Sequence, residues 1–252
     1  MRRSPLRALR RIALAAASIA TASAVAPAAG ANFDLIHFGH FDRMLQAGDT
    51  RGHVRLASLP QSSGHWGLGA LAGLKGEVLQ HDGRLLVSRG HDDGGRTGAA
   101  QEHDEAALFV AAKVQEWVAV VVPSDMTRAA FERFVGEQAQ ARGLSLDEPF
   151  VFLLDGSFPS LVWHVVTGGV PGAGHGGGHG GHANKASGMR TFEQAGSSGR
   201  LVGVYSGAQL EGAVSHTGER FHVHFADRDL KVSGHVDAYS VARGATLKLS
   251  LR

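Results

Sequence analysis

The alternation of hydrophobic and polar positions predicts a chain built mostly from β-strands. Between residues 64 and 89, two apolar runs flank the step Asp82-Gly83, and this arrangement is typical of a β-hairpin. Residues 111–122 become continuously apolar toward their end, as expected of a buried strand. Further strands are predicted over residues 150–154, 161–166, 201–205, 220–226, 234–241 and 246–251.

Two segments have helical character. Residues 33–48 are expected to begin extended and to run into a short helix. A longer helix is predicted to open at Ser124 and to stop at Gly143. Its apolar stripe consists of Phe131, Phe134, Val135 and Ala139. Residues 90–104, rich in Gly, Asp and His, are predicted to form a loop.

Three histidines carry the clearest chemical signal. His222 and His224 are two residues apart in an apolar segment, so a strand would project both to one face. His235 follows eleven residues later in a second predicted strand. Three imidazoles brought together in this way would hold a zinc-type ion and leave at least one position open, as in catalytic zinc sites. A histidine-only tripod also suits iron, copper and nickel, so the metal is not fixed by these residues.

The first residues are typical of an export signal. A basic head containing five arginines precedes the apolar run 12–20 and then small residues. We therefore expect residues 1–31 to be a signal peptide, and the mature protein to be periplasmic or secreted. No later stretch is apolar for long enough to cross a bilayer, so no membrane contact is expected after signal removal.

Charge and cysteine content narrow the function classes. The chain has 25 Lys+Arg and 23 Asp+Glu, and removal of the leader leaves 20 against 23. A slightly acidic body gives no electrostatic reason to expect nucleic acid or an anionic membrane as a partner. The chain contains no cysteine, so the core must be stable without disulfides, and a metal can be bound only by His, Asp, Glu and water.

The mature length allows one large or two small domains. The predicted organisation is an N-terminal mixed-sheet domain over residues 32–166, a Gly/His-rich loop or linker over 167–198, and a C-terminal β region over 199–252. The loop contains His175, His179 and His182 separated by glycines. These histidines have no fixed geometry, which favours a surface insertion with at most weak metal binding over a catalytic role.

The order of several motifs resembles the alpha-acetolactate decarboxylase family from about Phe38 to Leu251. The most specific part is Phe221-His222-Val223-His224-Phe225 followed by Gly234-His235-Val236-Asp237. The other segments that carry the resemblance are Gly67-Leu68-Gly69, Leu74-Lys75-Gly76-Glu77, Asp82-Gly83-Arg84, Asp125-Met126-Thr127-Arg128 with Phe131-Glu132, Leu154-Asp155-Gly156-Ser157-Phe158 and Leu201-Val202-Gly203.

The resemblance implies a two-domain, β-rich α/β (α+β) fold whose C-terminal, barrel-like part carries the metal site. It implies one zinc ion bound by His222, His224 and His235, and decarboxylation of 2-acetolactate, or a related 2-hydroxy-3-oxo acid, to acetoin and CO2. Glu77 matches the family's glutamate near the metal, with a role in substrate orientation or proton transfer. The partner implied is a small-molecule substrate, and a homodimer is left open.

The sequence departs from the family pattern in four places. His164 stands where the family has an arginine placed against the substrate, although an imidazole can still donate a proton. Ala70 replaces a threonine, and Lys75 replaces an aspartate. We also expect the family's C-terminal glutamate near the metal to have no counterpart, because the sequence ends at Arg252.

Two alternatives stay open at this point. One is a catalytically lapsed, exported relative of the same fold that binds zinc or a small ligand. The other is a cupin-like metal enzyme, because cupins also combine His-x-His with a distant histidine. A cupin would require a carboxylate ligand shortly after the pair, for which Asp227 or Asp229 is available.

Overall fold

The computed structural model describes residues 35–91, 94–168 and 188–251, which form two seven-stranded sheets. The first sheet has the order β1-β7-β3-β4-β5-β6, with β2 also paired to β7. Its strands are β1 (Leu35–Phe38), β2 (Val54–Arg55), β3 (His65–Leu71), β4 (Glu77–His81), β5 (Arg84–Ser88), β6 (Thr97–Ala99) and β7 (Glu105–Lys113). Two 3-10 turns follow β2 and β3, at Leu56–Ser58 and Ala72–Leu74.

The second sheet has the order β8-β14-β10-β11-β12-β13-β9. Its strands are β8 (Trp117–Val121), β9 (Met126–Thr127), β10 (Phe150–Val166), β11 (Met189–Tyr205), β12 (Phe221–Asp227), β13 (Ser233–Val241) and β14 (Thr246–Ser250). β10 also pairs with β13, so β10, β11, β12 and β13 close on themselves. This closure confirms the barrel-like C-terminal part and the β-rich fold class predicted from the sequence.

The two helices lie outside the sheets. α1 (Phe41–Gln46) follows β1, and α2 (Arg128–Gln140) follows β9. The Thr127 side chain caps α2 by accepting a hydrogen bond from the backbone of Ala130 at 3.3 Å. The apolar stripe of α2 packs on the core of the second sheet. Within the described ranges, neither helix is long and apolar enough to span a membrane.

Packing between the sheets follows from their burial pattern. β7 is buried from Ala106 to Ala112, so both of its faces are covered. One apolar cluster joins residues of the first sheet, such as Leu68 and Leu79, to residues of the second, such as Val151 and Val202. This shared core fixes the position of β4 relative to β12 and β13.

The predicted hairpin is confirmed. Asp82 and Gly83 connect β4 to β5 with positive φ angles of 49° and 85°, the combination required by a type I′ turn. The carboxylate of Asp82 accepts hydrogen bonds from the hydroxyl of Ser63 at 2.8 Å and the backbone N–H of Gly64 at 2.7 Å. These bonds tie the turn to the start of β3.

Several strand boundaries differ from the prediction. The apolar segment 111–122 is divided between β7 and β8, which belong to different sheets. Residues 150–166 form one strand rather than two, because the polar segment around Gly156 continues the pairing with β11 and β14. The predicted loop 90–104 contains β6. All pairings between described strands are antiparallel, whereas a mixed sheet was predicted.

The predicted division of the chain does not follow the sheets. Residues 150–166, assigned to the N-terminal part, pair with strands of the C-terminal part. Residues 189–198, assigned to the loop, form the first half of β11. Their sequence is polar because much of this segment is exposed, so it has no apolar alternation to reveal the strand. The signal peptide and His175, His179 and His182 lie outside the described residues.

Candidate metal centre

β12 and β13 bring the three predicted metal ligands together. Along β12, Val223 and Phe225 enter the core of the second sheet, so the alternating His222 and His224 point to the other face. The register places His224 directly opposite His235 of β13. The pattern of the sequence and the antiparallel pairing are therefore enough to form the cluster.

The geometry of the cluster suits a single ion. One ring nitrogen of each of His222, His224 and His235 lies within 4.8 Å of the others. The ring centroids are 4.9–5.4 Å apart. His222 and His224 are buried, with 3% and 0% of their surface exposed. Because the three nitrogens converge, they can act as three ligands of one divalent transition metal.

Hydrogen bonding around the cluster leaves nitrogen lone pairs free. Nδ1 of His222 donates to the backbone carbonyl oxygen of Val214 at 2.8 Å, so Nε2 is available as a ligand. Neither ring nitrogen of His224 makes a hydrogen bond of good geometry in the described part of the chain, although the backbone of Val78 is near enough to oppose the lowering of the His224 pKa. An unsatisfied buried polar group costs about 1–3 kcal/mol, and coordination of a metal would remove this cost for the one nitrogen that acts as the ligand.

Burial keeps all three imidazoles neutral. It lowers the pKa of His222 from 6.5 to about 4, with smaller effects from His216 and His164. Burial likewise holds the pKa values of His224 and His235 well below 6.5, and neighbouring histidines lower them further. Neutral imidazoles have the free lone pairs that a metal requires, so the protonation state fits the proposed ligands.

Glu77 reaches the cluster from the first sheet. It begins β4, and its Oε2 lies 3.7 Å from Nε2 of His224. Its Oε1 accepts a hydrogen bond from the backbone N–H of Val166 at 3.3 Å. Burial raises the pKa of Glu77 to about 7, although His164 and the Val166 hydrogen bond act in the opposite direction. Glu77 is therefore a buried carboxyl that can gain or lose a proton near neutral pH.

His164 contacts His235 from the neighbouring strand β10. The two residues are paired across β10 and β13, and their ring centroids are 4.8 Å apart. Nδ1 of His164 is 2.8 Å from Oδ1 of Asp237, and Nε2 is 4.0 Å from Oε1 of Glu77. Burial alone would lower the pKa of His164, but the hydrogen bond and charge of Asp237, with Glu77, raise it.

A cavity of about 330 Å³ opens beside His222 and His235. The sequence did not single out several side chains that line it, among them Arg128, His216, Asp237 and Tyr239. Their only sequence signal was that Arg128 and Asp237 fall inside motifs of the family resemblance. The buried hydroxyl of Tyr239 has no hydrogen-bond partner within the described ranges.

The five predicted site residues thus form one group. Asp227 and Asp229, the carboxylates that a cupin-like site would require, do not belong to this group. Asp227 accepts hydrogen bonds from the backbone N–H groups of Lys231 and Val232 in the β12–β13 turn, and exposed Asp229 pairs with Lys231. Ala70 lies opposite Glu77 in the first sheet, so the departure from the family's threonine is close to the site.

Comparison with solved structures identifies the fold. The alpha-acetolactate decarboxylase of Bacillus subtilis strain 168 has a TM-score of 0.69 and 20% identity over 86% of this chain and 85% of that one. The acetolactate decarboxylase of Bacillus subtilis subspecies spizizenii has a TM-score of 0.68, 20% identity and 86% coverage of both chains. A Staphylococcus aureus protein of unknown function, described as similar to alpha-acetolactate decarboxylase, has a TM-score of 0.62 and 16% identity over 85% and 84% of the two chains.

No curated protein sequence matches this chain with statistical significance. The sequence model of alpha-acetolactate decarboxylase, in contrast, matches residues 41–251, which include the histidine cluster and every described strand except β1. The predicted resemblance is therefore confirmed, and the chain belongs to the alpha-acetolactate decarboxylase family.

Proposed function

We propose that this protein decarboxylates 2-acetolactate, or a related 2-hydroxy-3-oxo acid, to acetoin, or the corresponding hydroxyketone, and CO2. The observation that carries the proposal is the convergence of three neutral histidines beside the buried carboxyl of Glu77. Membership of the decarboxylase family supports the same reaction.

The proposed cofactor is one zinc ion held by His222, His224 and His235. Three nitrogen ligands leave at least one coordination position for the substrate, as in catalytic zinc sites. When bound, zinc supplies Lewis-acid stabilisation of the negative charge that loss of CO2 leaves on the substrate.

Glu77 is proposed to act as an acid–base group. Its pKa of about 7 allows both protonation states at neutral pH, and this is the condition under which general acid–base catalysis is most efficient. The backbone N–H of Val166 holds one carboxyl oxygen, while the other oxygen faces His224. The carboxyl is therefore fixed in orientation beside the proposed metal.

His164 is proposed to act as the doubly protonated imidazolium, which the neighbouring Asp237 and Glu77 favour, and to deliver its Nε2 proton to the carbon from which CO2 departs. Its Nδ1 is committed to Asp237, so Nε2 is the nitrogen left to face the substrate. Proton transfer from a fixed side chain would quench the enediolate on one face and give a single product enantiomer.

A small substrate agrees with the dimensions of the cavity, which His222 and His235 line but Glu77, His164 and His224 do not. Its volume of about 330 Å³ lies at the lower end of the range for small-molecule sites. The direct test is acetoin formation from racemic 2-acetolactate by zinc-loaded protein without residues 1–31, beside the variant His222→Ala/His224→Ala. Acetoin formation that is lost in the variant supports the proposal, whereas full zinc occupancy without acetoin contradicts it.

A second candidate is a catalytically lapsed relative that binds zinc or a small ligand. It is favoured by the existing contacts of Arg128, which is the one arginine among the described residues that line the cavity. Its guanidinium already binds Glu132 at 2.7 Å, Glu219 at 3.2 Å and the backbone carbonyl of Asp237 at 3.0 Å. A substrate carboxylate would have to compete with these acceptors, and a zinc-loaded protein without turnover would identify this candidate.

We also propose that the protein is exported. The support is the order of basic, apolar and small residues in the first 31 positions. Expression of the full chain in a Gram-negative host should give a shortened protein in the periplasmic fraction, whereas a full-length cytoplasmic protein would contradict export.

A further inference from the structure

A β-bulge in β13 places Asp237 beside His164. Trp163 pairs with Val236 and Val162 pairs with Ala238, so Asp237 is an extra residue with no partner across the strands. Bulges bend a strand locally and redirect the side chain of the extra residue. Here that side chain is a carboxylate, and both of its oxygens lie within 2.9 Å of one nitrogen of His164.

The hydrogen bond has a definite direction. Since a carboxylate only accepts, the proton must be on Nδ1 of His164. This leaves Nε2 on the side of the ring that faces Glu77, at 4.0 Å from Oε1. The distance is too long for a direct hydrogen bond, so both groups remain able to contact a third atom between them.

The backbone of Asp237 is held in place by a contact that does not involve its side chain. Its backbone carbonyl accepts a hydrogen bond from Nη1 of Arg128 at 3.0 Å, which ties the bulge to the start of α2. His164 is fixed on its other side by pairing with His235. The carboxylate can therefore be removed without removing the contact that holds the backbone of the bulge.

We propose that Asp237 is a positioning residue that holds His164 with Nε2 directed into the site toward Glu77. The effect on turnover rests on the proposed function, because it requires His164 to exchange a proton with the substrate. The effect of Asp237 on the tautomer and orientation of His164 does not rest on the proposed function, because it is expected in the metal-free protein as well. Fixing the tautomer and orientation of a histidine through its other nitrogen is a general role of carboxylates.

The test combines a tautomer measurement with kinetics. Long-range 1H–15N spectra of metal-free, 15N-histidine-labelled protein are recorded at a pH at which His164 is neutral, and a His164→Gln variant assigns its signals. We expect the Nδ1-protonated tautomer in the wild type and in Asp237→Asn, whose amide oxygen still accepts. Asp237→Ala should shift His164 toward the Nε2-protonated form that free histidine prefers, while Asp229→Ala, a change at another exposed aspartate, should leave it unchanged.

In the zinc-loaded enzyme, Asp237→Ala should lower kcat about 10- to 100-fold with little change in KM, and the loss should disappear in a His164→Gln background. An unchanged His164 tautomer in Asp237→Ala would overturn the proposal. A wild-type kcat in this variant, despite an altered tautomer, would overturn it as well. If the wild type forms no acetoin, the proposed function fails, and the tautomer alone decides whether Asp237 positions His164.

Discussion

Glu77 Oε2 lies 3.7 Å from Nε2 of His224, although the two residues belong to different sheets. Glu77 starts a strand of the first sheet, and His224 lies in the middle of a strand of the second. The histidine cluster is a local product of the paired strands β12 and β13, but the carboxyl of Glu77 reaches it only when the two sheets pack. Assembly of the complete site is therefore coupled to the shared apolar core.

Replacement of a proposed ligand should abolish tight zinc binding. His224→Ala removes one of three nitrogens and leaves two, so we expect at least a 100-fold loss of zinc affinity. Zinc content after dialysis against a weak chelator, with isothermal titration calorimetry, measures this loss. His103→Ala, at an exposed histidine, is the matched control and should bind one equivalent. Equal zinc content in the two variants would exclude the proposed ligand set.

Glu77→Gln should separate activity from stability. The amide keeps the shape of the carboxyl but cannot transfer a proton, so kcat for acetoin formation should fall about 10²- to 10⁴-fold. The melting temperature should be kept or raised, because burying a neutral amide costs less than burying a carboxylate. Glu102→Gln, at an exposed position, is the control. A Glu77→Gln enzyme with wild-type kcat would remove Glu77 from the mechanism.

Asp155 should give the fold part of its resistance to acid. Burial raises its pKa, but hydrogen bonds from Arg200 and Lys248, both at 3.0 Å, lower the pKa by more, to below the ordinary 3.8. A carboxyl with a lowered folded pKa stabilises the protein above its unfolded pKa, and this stabilisation is lost as the pH falls through the folded value.

Asp155→Asn should therefore cost about 1 kcal/mol of unfolding free energy at neutral pH, since the group is partly exposed. The difference from the wild type should begin to shrink as the pH falls below about 4, and it should vanish only once the pH is below the lowered folded pKa. Urea unfolding at a series of pH values measures it. Asp229→Asn, which breaks only an exposed pair with Lys231, should have almost no effect at any pH. A constant difference across the series would show that ionisation of Asp155 does not matter.

Gly203 should be intolerant of a side chain. It pairs with Phe152 across β10 and β11, and a Cβ atom added to it would overlap the buried ring. Gly203→Ala should lower the unfolding free energy by about 1–3 kcal/mol, because the ring cannot move without disturbing the core. Gly98→Ala is the control, since nothing lies within 4 Å of its added Cβ. Similar melting temperatures for both variants would contradict this packing.

The sequence predicted those parts of the site that depend on local pattern. His222 and His224 are two apart in an alternating strand, and Asp82-Gly83 has the turn chemistry that the hairpin uses. The sequence could not predict Asp237 beside His164, since the bulge arises from pairing with a strand more than seventy residues away. The continuous β10 was missed for a related reason, because its polar middle is stabilised by neighbours rather than by its own alternation.

The most direct test of the proposed metal-dependent reaction is the rate of acetoin formation from 2-acetolactate as zinc is titrated into metal-free protein. We expect a rate that rises in proportion to added zinc and saturates at one equivalent, with no rise in the His222→Ala/His224→Ala variant. A rate that is independent of zinc would contradict the metal centre. Absence of acetoin at one bound equivalent would contradict the decarboxylase reaction and leave a metal-binding member of the family.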